Sequence, residues 1–187
     1  MPRAGLDPVV VVRRAAALID EDGVEGLTLA RLAGELGVAA PSLYKHVGGL
    51  EDLLARVAVA ATADLAAQLG AAARGRAGRD ALEAIARTYR HFAKDHPGTY
   101  SLIQRPVDTP ESAAAASDAV GAVVAALSGY GVTESDVDRI RLVRSALHGF
   151  VDLERGGGFG LPASVDVSFD FLVDALDAAL SRERWPI

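Results

Sequence analysis

Apolar side chains recur every three to four residues along almost the whole chain, which is the spacing of one face of an α-helix. Val12, Ala16 and Ile19 show this spacing in the first segment, and Gly23 follows them as a stop signal. The four valines at 9–12 are also compatible with the start of a strand, but no similar segment lies nearby to pair with them. The sequence therefore predicts an all-α fold.

The same spacing predicts a series of helices separated by turns that contain glycine or proline. The stretch 70–79 is rich in glycine and arginine, lacks periodicity and is predicted to be a linker. A short segment follows Pro97 and runs through Arg105. The predicted helices cover residues 9–22, 29–36, 41–47, 50–69, 80–96, 111–127, 134–155 (with Thr133 as its N-cap) and 166–181.

Composition limits the class of protein. Of the 187 residues, 50% are hydrophobic and 24% are charged, which is typical of a globular chain and not of a disordered one. The absence of cysteine excludes disulfides, thiolate zinc sites and a cysteine nucleophile. The N-terminal apolar run ends at Arg13 and Arg14, and no apolar run approaches the roughly 18 residues of a membrane span. We therefore expect a soluble, cytoplasmic protein that does not enter a membrane.

Residues 28–47 have the pattern of a helix-turn-helix, which is two short helices joined by a tight turn that contains glycine. Thr28 is a typical N-cap for the first helix, Gly37 suits a left-handed C-cap, and Pro41 suits the first turn of the second helix. The shared core of the two helices is predicted to consist of Leu29, Leu32, Ala33, Leu36, Val38, Leu43 and Val47.

The second helix of this pair is predicted to turn a polar face outward. Hydroxyl and lysine side chains reach phosphates and base edges, and alanines allow close approach to DNA. The net charge of −6 is unfavourable for a nucleic-acid binder, but within this stretch Arg31 and Lys45 stand against Glu35 alone. The outward residues are Ala39, Ala40, Ser42, Tyr44, Lys45 and His46.

Thr28, the turn LGV at 36–38 and the segment PSLYKHV at 41–47 closely resemble the DNA-binding domain of TetR-family transcriptional regulators, over about residues 8–56. The resemblance implies a DNA-binding domain at 1–50, a connector helix from about 50 to 69, a ligand-binding and dimerisation domain at 51–187, and a homodimer. The DNA contacts of the family, carried over to this sequence, fall on Thr28, Arg31, Ala39, Ala40, Ser42, Tyr44, Lys45 and His46.

One position departs from the family pattern. The family often places a phosphate-binding lysine at the start of its fourth helix, where this chain has Gly48, Gly49 and Leu50. Our hypothesis from the sequence is that the free amides of the two glycines replace that lysine.

The C-terminal part predicts a helical bundle with apolar faces on two sides. The helix at 134–155 carries two apolar stripes, and such a helix is typically covered by its own core and by another subunit. The alternative is a central helix covered entirely within one chain. In the last helix, four aspartates are predicted to form a solvated face. The predicted dimer interface consists of Val143, Leu147, Val151, Phe169, Leu172, Val173, Leu176 and Leu180.

The segments YRHFAKDHPGTYSLI and LHGFVDLERGGGF resemble a variant of the TetR C-terminal domain with a Trp-His-Gly signature, in which Leu147 here replaces the tryptophan. A mostly apolar cavity with a few polar groups is the usual form of a small-molecule site. For each aromatic residue taken alone, the alternative to ligand binding is simple packing in the core. For His96 the alternatives are a buried histidine in the core and a helix cap beside Pro97. The candidate ligand-binding residues are Tyr89, Phe92, His96, Tyr100, Ile103, Gln104 and Phe150.

Enzyme chemistry finds little support in the sequence. His91 and His96 do not have the i,i+4 spacing that directs two ligands at one metal, and the glycine run at 156–160 does not open a helix after a strand. We therefore expect no metal, no cofactor and no catalytic site. The expected function is that of a homodimeric repressor, released from a near-palindromic double-stranded operator by a largely apolar small molecule. The alternatives are a helical protein-interaction adaptor, and a small-molecule binding protein or lapsed enzyme that does not bind DNA.

Overall fold

The computed structural model describes residues 6–105 and 107–182, and all regular secondary structure in those ranges is helical. The all-α prediction is confirmed. Short 3₁₀ helices occur at Val24–Gly26, Ala40–Lys45 and Ser128–Tyr130. The α-helices are α1 (Pro8–Asp22), α2 (Leu29–Glu35), α3 (Leu50–Ala73), α4 (Gly78–Asp95), α5 (Pro97–Ile103), α6 (Pro110–Leu127), α7 (Val137–Arg155) and α8 (Val165–Leu180).

Local capping signals fix the ends of the first helices. The side chain of Asp7 accepts a hydrogen bond of 2.9 Å from the amide of Val9 at the start of α1. Thr28 caps α2 in the same way through the amide of Arg31, at 3.1 Å. Gly37 adopts φ 65°, the left-handed conformation that ends a helix and that glycine adopts without strain. These ends agree with the sequence prediction.

Residues 41–47 were predicted as a short helix, and the structure has a 3₁₀ helix in this segment and not an α-helix. The segment Ala40–Lys45 is a 3₁₀ helix, with i,i+3 bonds of 2.8 Å from the amide of Ser42 to the carbonyl of Ala39 and from His46 to Leu43. Ala39 has no side chain that could cap a longer helix, and two glycines follow Val47. A segment this short, with no cap, adopts the tighter helix.

Three other helix boundaries differ from the prediction by two residues or more. The predicted linker at 70–79 is shorter, since α3 continues to Ala73 and α4 begins at Gly78. Alanine is the strongest helix former, so the alanines at 71–73 extend α3. Helix α7 begins at Val137 and not at 134, because the Asp136 carboxylate accepts bonds from the Thr133 amide (2.7 Å) and hydroxyl (2.8 Å) and so closes a turn there.

The chain divides into two compact units, whose limits differ from the predicted domains. The first unit contains the chain up to Asp64 together with Asp95–Ala115, and the second contains Leu65–Lys94 and the chain from Ala116 onward. Residues 95–115 were predicted to lie in the C-terminal domain. The structure places them with the N-terminal helices because Leu102 of α5, 2% exposed, packs in the core of the first unit.

In the first unit, α5 is attached to α1 by hydrogen bonds and by close backbone packing. The carboxylate of Asp20 accepts hydrogen bonds from the amides of Gly98 (3.0 Å) and Thr99 (2.8 Å). Its second oxygen lies 3.0 Å from Nδ1 of His96. The core of this unit consists of Val11, Ala15, Leu18, Ile19, Leu27, Leu32, Ala33, Leu43, Val47, Leu53, Val57, Ala58 and Leu102.

In the second unit, the aspartates of α8 pair with arginines of α4. Arg87 donates to Asp170 at 2.8 Å and Arg90 to Asp166 at 2.7 Å, while Arg79 pairs with Asp174. The hydroxyl of Tyr130 donates to Asp177, the fourth aspartate of this face. The predicted solvated face is thus corrected: its carboxylates are partly exposed, but each one has a partner in the same chain.

Arg90 is a buried cation that joins α4, α7 and α8. Only 6% of the residue is exposed, and its guanidinium donates two bonds, of 2.7 and 2.5 Å, to Glu154. Its Cζ lies 4.7 Å from the ring centre of Phe169 and 5.9 Å from that of Phe150, so it also makes cation–π contacts. The bonds from Arg90 and Lys94 lower the pKa of Glu154 to about 2.

Two helices are more apolar than the sequence prediction allowed. Leu50–Ala73 and the stretch Pro110–Tyr130 have a mean hydropathy of 1.3, which by length and composition alone is enough to cross a membrane. Alanine, which is apolar but small, is the most frequent residue in both. The core helix of a soluble protein has the same properties, and Leu53 and Val57 of α3 lie in the core of the first unit.

Candidate nucleic-acid interface

Helix α2 and the 3₁₀ segment 40–45 form a hairpin around a common core. Leu32, Ala33, Leu43 and Val47 are each no more than 2% exposed. The amide of Val38 donates a 3.0 Å bond to the carbonyl of Ala33 and so fixes the turn. The helix-turn-helix predicted from residues 28–47 is therefore present, although its second element is a 3₁₀ helix.

The outward face of this hairpin carries the side chains predicted to reach DNA. Tyr44 is 62% exposed, although an aromatic ring of this size is usually buried or in contact with a partner. Lys45 is exposed too, and it makes no hydrogen bond or ion pair with the residues that the structure describes. Ala39 is exposed beside them, whereas Ala40, Ser42 and His46 are half-buried.

Thr28 and Arg31 stand at the start of α2 and are already engaged within the unit. The Thr28 hydroxyl oxygen is the N-cap acceptor. The Arg31 guanidinium donates a 3.1 Å bond to the carbonyl of Gly26 and pairs with Asp22. The Arg31 guanidinium has further N–H groups beyond these two bonds, so a phosphate would share its charge with Asp22.

The charge balance of the face also differs from the sequence count. Glu35 pairs with Arg14 of α1, with 2.7 Å between Oε2 and Nη2. Arg31 is balanced by Asp22 in the same way. Within the hairpin, Lys45 is therefore the cation whose charge is not compensated by a carboxylate of the described chain.

The glycines that follow the hairpin do not supply two free amides. The amide of Gly48 donates a 2.8 Å bond to Oδ2 of Asp52, in the first turn of α3, so this part of the sequence hypothesis was wrong. The same oxygen accepts a 2.9 Å bond from Nε of Arg56, and the two bonds lower the pKa of Asp52, the one from Gly48 most. Sequence reasoning missed this pair, although its i,i+4 spacing is a recognisable signal.

The seven predicted ligand-binding residues are distributed over both units. Tyr89 and Phe92 are buried in α4 of the second unit, where the half-buried ring of Phe150 lies 5.2 Å from Phe169 and 4.8 Å from Phe159. His96, which bonds to Asp20, is the N-cap residue that precedes α5 in the first unit. The remaining three also lie in the first unit: Tyr100, which is fully buried, and Ile103 and Gln104, which are half-buried.

The predicted dimer interface is largely the core of a single chain. Seven of its eight residues are at most 4% exposed, because the stripes of α7 and α8 that they form pack inside the second unit, and Leu172 is half-buried. Such side chains cannot cover a partner without unfolding their own core. The seven buried residues are Val143, Leu147, Val151, Phe169, Val173, Leu176 and Leu180.

Comparison with known proteins finds two family models, one that matches an N-terminal region of the chain and one that matches a C-terminal region. Residues 11–57 match the model described as bacterial regulatory proteins, tetR family, and residues 82–176 match the tetracyclin repressor-like C-terminal domain. The first range contains the hairpin, and the second covers most of α4 to α8. The narrower Trp-His-Gly assignment stays a prediction.

Individual relatives agree with these matches. The uncharacterized HTH-type transcriptional regulator Rv0681 of Mycobacterium tuberculosis is 39% identical over 92% of this chain and 80% of its own length. The uncharacterized HTH-type regulator YobS of Bacillus subtilis is 33% identical over 81% of each chain. A solved structure of a protein of unknown function from Rhodococcus sp. RHA1 superposes with a TM-score of 0.84 at 23% identity, over 97% of this chain and 100% of that one, and so shows the same fold.

Proposed function

Because the chain belongs to the TetR family of DNA-binding transcriptional regulators, we propose that it is a homodimeric repressor that a small molecule releases from its operator. In this proposal each protomer places the 3₁₀ segment 40–45 in a major groove, and the two half-sites form a near-palindromic operator. The observation that carries it is the exposure of Tyr44 beside Lys45, on the outward side of a well-packed hairpin.

The proposed dimer uses the faces of α7 and α8 that the core leaves free. One face of α8 packs in the core, and a second face carries the aspartates that pair with α4. A third face is not covered, and on it Phe171 is 74% and Val167 is 67% exposed. On the second apolar stripe of α7, Leu153 is 52% exposed. Exposed aromatic and aliphatic side chains in one region are typical of an interface, and a second copy of the chain offers the same surface.

The proposed effector is a small, largely apolar molecule that binds the predicted ligand-binding and dimerisation domain. Support comes from the family assignment and from aromatic side chains of the second unit, such as Tyr89, Phe92 and Phe150. The effector would lower operator affinity only to the extent that it binds the released conformation more tightly than the DNA-bound one.

The first test is selection of the full-length protein on a pool of random duplex DNA, followed by sequencing and a salt series. We expect an enriched inverted repeat whose affinity falls steeply with salt, since phosphate contacts release counterions. No enrichment from a folded dimer at low salt would contradict the proposal. It would instead favour an adaptor, or a small-molecule binding protein without DNA binding.

The second test removes the exposed aromatic side chain. Tyr44→Ala should abolish binding to the enriched duplex and leave the fold and the dimer intact, because Tyr44 contributes little to the core. The matched control is Val9→Ala, which truncates a side chain that is 68% exposed in the same unit and should bind normally. Full binding by the Tyr44 variant would overturn the assignment of this face.

A further inference from the structure

The chain lacks a lysine at the start of α3, and the structure shows which donor stands near that position. The amide of Gly48 is occupied by Asp52 Oδ2, at 2.8 Å, so it is not available to a phosphate. The same oxygen accepts the Nε–H of Arg56 at 2.9 Å. The Arg56 guanidinium therefore lies within two hydrogen-bond lengths of the Gly48 amide.

We propose that Arg56 is a DNA-binding residue, and that it contacts the operator backbone in place of the lysine that Gly48, Gly49 and Leu50 lack. This inference rests on the proposed DNA-binding function. Helical side chains lean toward the N-terminus of their helix, so Arg56, in the second turn of α3, extends back toward the end of the hairpin.

The environment of Arg56 suits a contact with a phosphate. Its side chain is 47% exposed, and its two terminal nitrogens have no partner among the residues that the structure describes. The bond from Nε to Asp52 fixes the plane of the guanidinium, which reduces the side-chain entropy lost on binding. Of the charged side chains in the first two turns of α3, which are Glu51, Asp52 and Arg56, only Arg56 is a cation.

The alternative is that Arg56 and Asp52 form a surface ion pair with no role in binding. Such pairs contribute little to stability, so a change in protein stability does not distinguish the two interpretations. The salt dependence of DNA binding does distinguish them, because it counts the phosphates that the protein neutralises.

The experiment compares Arg56→Gln, Arg56→Lys and Arg141→Gln in the full-length dimer. Arg141 is the matched control, since it is an exposed arginine near a carboxylate (Asp138, at 3.9 Å) on α7 of the second unit. The probes are the duplex enriched from the random pool and a scrambled duplex of the same length. Fluorescence anisotropy gives the affinity at several salt concentrations, and circular dichroism and sedimentation check the fold and the dimer.

We expect Arg56→Gln to reduce the slope of log K against log salt by about 1.8 for the dimer, since each phosphate contact contributes about 0.9. Binding to both duplexes should weaken by about five- to thirtyfold, the value for two exposed ion pairs. Arg56→Lys should keep most of the slope, because a phosphate accepts either cation, and Arg141→Gln should keep all of it.

An unchanged slope in Arg56→Gln, or equal losses in Arg56→Gln and Arg141→Gln, would overturn the inference while the wild type still binds DNA. If the wild type binds neither duplex, the proposed function itself fails. The two failures are therefore distinguished by the wild-type measurement.

Discussion

Gly98 of α5 lies against the backbone of Ile19 in α1 with no space for a side chain between them. A Cβ atom on Gly98 would lie 2.0 Å from the carbonyl oxygen of Ile19 and 2.5 Å from its carbonyl carbon. These neighbours are backbone atoms and cannot move aside as a flexible side chain can. Only glycine allows α5 to pack against α1 at this distance.

Gly98→Ala is therefore expected to destabilise the first unit by about 3 kcal/mol or more, as severe overpacking does. Gly34→Ala is the matched control, because Gly34 lies inside α2 and a Cβ there meets no atom within 4 Å. That substitution should stabilise the protein by up to about 1 kcal/mol. Denaturant unfolding of both variants measures the difference, and equal stabilities would contradict the packing described here.

Asp20→Asn is expected to loosen the same contact between α1 and α5. The asparagine retains one acceptor oxygen but loses the charge that strengthens the bonds from Gly98 and Thr99. We expect a loss of about 1–3 kcal/mol in the free energy of unfolding. Glu25→Gln, at an exposed position in the same unit, should cost less than about 0.5 kcal/mol. Thermal unfolding of the two variants checks this order.

The buried pair of Arg90 and Glu154 predicts a pH dependence of stability. The pKa of Glu154 falls to about 2 in the folded chain from an ordinary value of 4.5. The carboxylate therefore stabilises the fold fully above pH 4.5, and this contribution, of the order of 2–3 kcal/mol, is lost as the pH falls toward 2. Wild type should be more stable than Glu154→Gln at pH 7, and the gap should narrow below pH 4.5.

Denaturant unfolding at several pH values measures this gap. Asp138→Asn is the control, since the Asp138 side chain is 84% exposed. The stability of this variant should follow that of the wild type at every pH. A constant gap between wild type and Glu154→Gln from pH 7 to pH 3 would contradict the assigned role of Glu154.

Phe171→Asp is expected to convert the proposed dimer into a folded monomer. It places a charge on the exposed face of α8 in both protomers, and the loss of two buried aromatic side chains raises the dissociation constant by about a hundredfold or more. Leu161→Asp is the control, at a position that is 82% exposed in the loop before α8. Sedimentation velocity distinguishes the two, and a dimer that persists in Phe171→Asp rules out this face as the interface.

The features that the sequence predicts well are those encoded by neighbouring residues. The N-cap hydrogen bond of Thr28 and the positive φ angle of Gly37 mark the two ends of α2, and both involve only neighbouring residues. The hairpin can therefore be predicted without knowledge of the tertiary structure. The apolar spacing of Leu32 and Leu43 likewise identifies which sides of the hairpin pack together. The outward residues, Tyr44 above all, follow from that arrangement.

The features that the sequence does not predict depend on distant partners. Asp174 pairs with Arg79, 95 residues away, and Thr99 bonds to Asp20, 79 residues away. An apolar stripe shows that a helix face is covered, but it does not show by what. For this reason Val143 and Phe169, which belong to the core of their own chain, were predicted to lie in an interface.

The inclusion of α5 in the first unit has a consequence for biosynthesis. Residues 65–94 emerge from the ribosome after the helix-turn-helix and before α5. Until α5 has been synthesised, the core of the first unit lacks Leu102. The Asp20 carboxylate likewise lacks the α5 amides that donate hydrogen bonds to it. The DNA-reading unit thus completes its folding only after part of the second unit has been translated. A gene fragment that ends at codon 64 encodes this unit without one of its helices.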